Sequence, residues 1–148
     1  MIKMNSSLES DAREAVELLK LAYGIDKIDV IIANTGASEH QELSLETPIQ
    51  KLQEYLNVDV TGSLALIQAS WPLLMTSTDP RFFVISNEEG SIGMMGDIGI
   101  PAMAYGASNA AASYFTRKLH FESESLIAAL IHPGYFQTQI PSGLLTDS

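Results

Sequence analysis

This sequence predicts an α/β fold built on a parallel sheet, and three observations carry that expectation. Segments 28–33 (IDVIIA), 81–86 (RFFVIS) and 126–131 (LIAALI) are short apolar runs, mostly β-branched or small, as in strands buried on both faces. Between them lie segments long enough for helices, with apolar residues at helical spacing. Strand and helix alternate along the chain, which favours a parallel sheet with right-handed crossovers over an antiparallel meander.

In chain order, Ile2 to Met4 reads as a short first strand. Ser7 or Ser10 can cap a helix to about Tyr23, with Ala12, Ala15, Val16, Leu19 and Ala22 on one stripe and Gly24 as its stop. After the strand at 28–33, Thr47 and Pro48 read as cap and first-turn proline of a long helix. Its apolar stripe is Ile49, Leu52, Leu56, Val60, Leu64, Ile67 and Trp71. The strand at 81–86 leads through the glycine-rich loop EEGSIGMMGDIGIP to a helix from about Ala102 to Glu122. The last strand, at 126–131, closes on His132-Pro133-Gly134.

The 148 residues fit one domain, 1–148, and 46% hydrophobic residues suffice for a sizeable core. No run is long enough for a membrane span, and MIKMNSSLES lacks the apolar core of a signal peptide. Zero cysteines exclude disulfides and thiolate chemistry, and no spacing suggests a metal site. A cytoplasmic protein is the expectation. The net charge of -10, from 18 acidic and 8 basic side chains, argues against nucleic-acid and anionic-membrane partners. Only three arginines (Arg13, Arg81, Arg117) and five lysines are available for phosphate contacts.

Four segments, in order, resemble the short-chain dehydrogenase/reductase family. Asn34-Thr35-Gly36 resembles its Asn-Ala-Gly motif, and Leu56 to Gly62 with Leu66-Ile67-Gln68-Ala69 its central helix. Ile85 to Gly90 with Tyr105-Gly106-Ala107-Ser108 resembles the catalytic strand and helix. Ile131-His132-Pro133-Gly134 with Thr138 resembles the Pro-Gly turn and the threonine after it. The resemblance covers about residues 2 to 140 and is nearest to ketoreductase-like members acting on carbonyl metabolites, in the manner of secondary metabolism. It implies a three-layer Rossmann-like sheet, here reduced to about four strands and truncated at both ends. The glycine-rich first βαβ unit that holds the cofactor pyrophosphate has no counterpart in these residues, and Asn5 stands where an aspartate usually contacts adenine.

The family's chemistry is shared by Asn, Ser, Tyr and Lys, and this chain departs from it. Tyr105 matches the acid/base tyrosine, but the lysine position four residues on is Asn109. The serine frame gives Asn87, with Ser86 one residue early and so turned to the other face of a strand. The frame of the central-helix asparagine gives Asp59, and Asn57 lies on another face. Asn109 offers no charge to stabilise a phenolate, and a carboxylate at Asp59 would raise the phenol's pKa. On this reading no nicotinamide cofactor is expected; Asn34, Gly36, Pro133, Gly134 and Thr138 are vestigial contacts, and NAD(P) enters only under the reductase alternative.

Each residue also has a plainer reading. Tyr105 can be an aromatic at a helix start, Asn34 and Gly36 can close a strand and a turn, and His132 and His40 can be loop histidines. Glu88 and Glu89 can be solvated, and Met94, Met95 and Met103 either fill core or line an adaptable pocket. Three functions remain open. The first is cofactor-independent acid/base chemistry on a small carbonyl metabolite (isomerisation, dehydration or cyclisation) through Tyr105, Asp59 and Asn87. The second is an NAD(P)-dependent ketoreductase, or a fragment of one, completed by another chain. The third is a non-catalytic scaffold or dimerisation partner. A homodimer through the two long helices is expected in each case.

Overall fold

In the computed structural model, which describes residues 2–36 and 42–134, three parallel strands lie side by side in chain order. β1 (Val30–Ala33) pairs with β2 (Arg81–Ile85), Val30 opposite Arg81 and Ala33 opposite Val84. β2 pairs in turn with β3 (Ile127–Ile131), from Arg81 opposite Ile127 to Ile85 opposite Ile131. The α/β class and the parallel pairing are as the sequence predicts.

The strand expected at residues 2–4 does not form, so the sheet has three strands where about four were expected. Local bonds at Asn5 take its place. The Asn5 side-chain oxygen accepts from Ser7 N at 3.0 Å, and the Asn5 N–H donates to Asp11 Oδ2 at 3.0 Å. Such side-chain-to-backbone bonds compete with a ladder, and a three-residue run has little else to hold it in register. Ile2 and Met4 instead line an apolar groove beside Val30 and Ile32 of the edge strand.

The same competition moves two helix caps. α1 (Glu9–Tyr23) begins after Leu8 with no side-chain cap, so neither Ser7 nor Ser10 acts as expected; Glu9 and Asp11 in its first turn complement the helix dipole. It ends, as expected, at Gly24, whose N–H reaches Lys20 O. Thr47 does not cap α2 (Ile49–Leu56), because its hydroxyl donates to Leu43 O at 3.0 Å. The Pro48 carbonyl starts the helix by accepting from the N–H of Lys51 and Leu52.

α2 runs through one π-helical turn (Asn57–Thr61) into α3 (Gly62–Leu74). The extra residue in that turn shifts the phase of everything after it. Of the expected stripe only Ile67 is fully buried, while Ile49 and Leu64 are exposed. The inward face carries Tyr55, Asp59, Ser63, Ser70, Leu73 and Leu74 instead.

One face of the sheet builds the core. Ile31, Ala33, Phe82, Val84 and Ala128 pack with Ile67 and Leu74 of α3 and Ala112 of α4 (Met103–Glu122). Phe82 is wholly buried and meets Phe115 edge-on at 6.3 Å; burying one such side chain contributes roughly 1.5–3 kcal/mol. Among the described residues the alternate positions Val30, Ile32, Ile127 and Ile131 are exposed. α1 packs against α3. No helix of the described residues is long and apolar enough to cross a membrane.

Candidate active site

The carboxyl ends of the three strands lie side by side, where open α/β sheets bind ligands. β1 delivers Asn34-Thr35-Gly36, β2 delivers Ser86 and Asn87, and β3 delivers His132-Pro133-Gly134. A short 3-10 turn, Glu88–Gly90, then carries the chain onto α4. Two glycines allow that approach. A Cβ on Gly90 would lie 2.7 Å from Asn109 Cβ, and one on Gly106 would lie 2.9 Å from the Glu89 carbonyl oxygen. Either would force the turn off the helix and open the site.

Asn109, at the lysine position, is buried and fully engaged. Its Oδ1 accepts from Ser86 Oγ at 3.1 Å and from Asn87 N at 3.1 Å. Its Nδ2 donates to Tyr105 O at 2.9 Å. With 4% of its surface exposed, Asn109 ties the end of β2 to α4. Ser86 thus does face the site, in the role of a strut for Asn109. The Asn87 side-chain oxygen caps the 88–90 turn by accepting from Glu89 N at 3.3 Å.

Tyr105 sits half-buried above this network, with the Tyr55 ring edge-on to it at 6.1 Å. Burial pushes its phenol pKa above the ordinary 10.0. Hydrogen bonding with Asn87 pulls the other way, the charges of Glu89 and Asp59 add to the rise, and Asn109 also favours the phenolate. The sequence-level effect of Asp59 on the phenol is therefore present, though smaller than desolvation. Glu89 itself is held above the usual carboxylate range by burial and by the neighbouring charge of Glu88.

Asp59, buried in the π-helical turn, accepts from Ser108 Oγ at 2.5 Å. The Tyr105 carbonyl oxygen lies 2.9 Å from the same hydroxyl and competes for its one hydrogen. Asp59 and Asn87 therefore approach Tyr105 by different routes: Asn87 reaches the phenol, while the Asp59 carboxylate is held by Ser108. Gly36 lies beside Asp59, since a Cβ there would come within 3.8 Å of Oδ1. His132 Nε2 is 4.0 Å from Glu88 Oε2 at the mouth of the site. Met95 and Met103 line a neighbouring cavity, and Met94 does not. Thr138 and His40 lie outside the described residues. Sequence reasoning missed Ser108 as the partner of Asp59 and Glu42 as a cavity wall. A serine three residues after Tyr105 was the available signal for the first; the second had none.

The fold and the site define a class: an α/β chain of Rossmann type, with a half-buried tyrosine near the strand ends. The family model for short chain dehydrogenase matches residues 1–147, and the chain belongs to that family. Two curated relatives are named norsolorinic acid ketoreductase. The one from Aspergillus parasiticus is 33% identical over 142 residues, covering 95% of this chain and 52% of the relative. The one from Emericella nidulans is 30% identical over 140 residues, covering 94% and 53%. The chain thus spans about half the length of the curated relatives it matches. Among solved structures, the NADPH-bound carbonyl reductase from chicken fatty liver superposes with a TM-score of 0.81 at 18% identity, covering 90% of this chain and 56% of that one. The RhlG/NADP complex of Pseudomonas aeruginosa gives 0.79 at 27% identity, covering 92% and 53%.

The family implies a nicotinamide cofactor, and the described residues fit only its carbonyl side. An ammonium that would grip the ribose is replaced by Asn109, whose carboxamide already makes three hydrogen bonds within the protein. The ribose side therefore does not fit.

Proposed function

We propose that this chain carries the carbonyl-handling half of a ketoreductase-type site, as a single domain. Tyr105 gives its proton to the oxygen of a small ketone that the Asn87 carboxamide helps to hold. The observation that supports this best is the convergence of Asn87 and Asn109 on the Tyr105 phenol at the strand ends. The raised pKa leaves Tyr105 protonated at neutral pH, the form that can hydrogen-bond to a carbonyl oxygen, though it yields its proton less readily than a group tuned near neutrality. The ketone follows from the names of two relatives, norsolorinic acid ketoreductase, of which this chain spans about half. We place the protein in the cytoplasm as a two-fold dimer, with Tyr114 and Phe121 on the exposed side of α4 as contact residues.

One observation favours a second reading. Asn109 brings no charge to the lysine position, which favours acid/base chemistry at Tyr105 without hydride transfer. Isomerisation, dehydration or cyclisation of the same ketone would then be the reaction, with no cofactor.

Incubation of the chain with a panel of small aromatic and alicyclic ketones, with and without NADPH, separates the two by mass spectrometry. Products heavier by two hydrogens, formed only with NADPH, support reduction. Isomers or dehydration products formed without it support the second reading. No turnover of any ketone under either condition overturns both.

A further inference from the structure

Ser108 takes no part in the chemistry proposed above, yet it is wholly buried, one turn along α4 from Tyr105. The partners of both residues come from one stretch of the neighbouring helix. The Tyr55 ring meets the Tyr105 ring edge-on at 6.1 Å. Asp59, four residues after Tyr55, accepts from Ser108 Oγ at 2.5 Å. Tyr55 and Asp59 are both buried, so the two contacts form an inner seam between α4 and α2 with its π-helical turn. We propose that Ser108 is a positioning residue for Tyr105: by anchoring the Asp59 carboxylate it fixes the π-helical turn against the part of α4 that carries the phenol. The inference rests on the reading of Tyr105 as the acid/base group.

Of the two contacts, only the hydrogen bond is strict about distance. An edge-on ring pair tolerates centroid separations from about 4.5 to 7 Å, so Tyr55 alone leaves Tyr105 room to shift. A hydroxyl on a carboxylate is held to about 2.5–2.7 Å. The Ser108 hydroxyl has one hydrogen to give, and two acceptors are within reach. Tyr105 O already accepts from Asn109 Nδ2 at 2.9 Å. A buried carboxylate is the costlier group to leave without a donor, so the hydrogen goes to Asp59. The other carboxylate oxygen faces the end of β1, where a Cβ on Gly36 would come within 3.8 Å of Oδ1. One hydroxyl thus ties α4 to a group that also meets the strand ends. Alanine would serve packing equally well at a wholly buried helix position. The hydroxyl requires a partner, and the partner it has is a charge that acts on the phenol.

Titration of the phenol by tyrosinate absorbance tests this, with the matching Tyr105→Phe variant subtracted to remove the other four of the five tyrosines. Circular dichroism, followed throughout, shows that the chain stays folded. The charges acting on the phenol are those of Glu89 and Asp59. Ser108→Ala takes the donor from a carboxylate that is ionised where a phenol titrates. Its charge then acts on the phenol undamped, and the titration should move upward. Asp59→Asn removes the charge but keeps an acceptor for Ser108, and the titration should move downward. The decisive comparison is the double variant. It should titrate as Asp59→Asn does, because Ser108 acts only through Asp59. Should Ser108→Ala fail to fold, Ser108→Cys replaces the hydroxyl with a weak donor and should shift the phenol in the same direction. A phenol that is unmoved or lowered by loss of the hydroxyl overturns the inference. So does a shift of equal size in the Asp59→Asn background. None of this needs turnover, so a failed ketone assay leaves the inference standing. Where Tyr105→Phe does abolish turnover, Ser108→Ala should lower kcat by up to about 10²-fold, the scale of a misplaced group, with KM little changed. An unchanged kcat in that case overturns the positioning role.

Discussion

Two sides of α4 handle polar groups in opposite ways. On the side facing β2, Asn109 satisfies Ser86 Oγ, Asn87 N and Tyr105 O with one neutral carboxamide, all within 3.1 Å. On the side facing segment 95–101, a Glu42 oxygen is buried with no partner among the described residues. The first side is closed and complete without a ligand. The second opens on a cavity walled by Met95, Ile98, Ile100 and Pro101. A buried polar network that is fully bonded fixes a geometry, whereas an apolar-lined cavity leaves the side chains around it free of such ties. The position where the family places a cation has thus become a structural joint.

The largest expected effect comes from breaking the closed side. Asn109→Lys puts an ammonium into a site that is 4% exposed and removes the acceptor for Ser86 and Asn87. A buried charge without a partner costs about 3–5 kcal/mol, so urea unfolding should show a midpoint well below that of the wild type. A lysine that left stability unchanged would mean the joint is looser than its hydrogen bonds imply. By contrast, Ala107→Leu on the open side should stay within about 0.5 kcal/mol of wild type, as exposed substitutions do.

Next in size is Tyr105→Phe. It keeps the ring against Tyr55 and removes only the hydroxyl. Turnover in the ketone assay should fall about 10²-fold or more, the usual loss for a general acid, with little change in unfolding midpoint. Full activity would make the tyrosine a packing residue and pass the role to Glu88 or Glu89. Ser86→Ala deletes one of the donors to Asn109 Oδ1, a buried bond of 3.1 Å, and should cost roughly 1 kcal/mol in urea unfolding. No loss there would show that Asn87 N alone holds the joint.

What the sequence makes legible follows the range of the interactions involved. The strands at 30–33, 81–85 and 127–131 announce themselves as unbroken apolar runs, but the burial on both faces that such runs imply is not found: among the described residues Val30, Ile32, Ile127 and Ile131 are exposed. Tyr105 and Asn109 share a helix face by spacing alone. Ser86 pairs with Asn109 across 23 positions, and Ser108 with Asp59 across 49; no local pattern encodes either. Ser7, Ser10 and Thr47 looked like caps because the residue types were right, but Asn5, Asp11 and the Leu43 carbonyl offered nearer partners. The π-helical turn at 57–61 shifted the long-helix stripe by a residue that periodicity cannot foresee. The orphaned Glu42 oxygen depends on chain segments far apart in sequence, so it is visible only once they are packed.

The smallest effect sharpens the comparison most, because Glu89 belongs to both sides: it lines the open cavity and its charge raises the Tyr105 pKa. Glu89→Gln keeps the shape and deletes the charge. The phenol should then titrate lower than in the wild type, because one of the charges that raise it is gone. Tyrosinate absorbance follows it, with the matching Tyr105→Phe double variant subtracted to remove the other four of the five tyrosines. The stability signs are fixed by the directions of the shifts. Tyr105 has a folded-state pKa above its ordinary 10.0, so its contribution is intact below about pH 10 and is lost as pH climbs through the folded value. Lowering that value in the variant makes the alkaline loss smaller. Glu89 is likewise raised from 4.5, so its contribution is full below that pH and fades above it. Glutamine cannot ionise, and the variant should therefore match or slightly exceed wild-type stability at neutral pH. A phenol that titrates unchanged in Glu89→Gln would show that the two sides of α4 are electrically separate. Burial, with Asp59 adding to it, would then account for the whole rise at Tyr105.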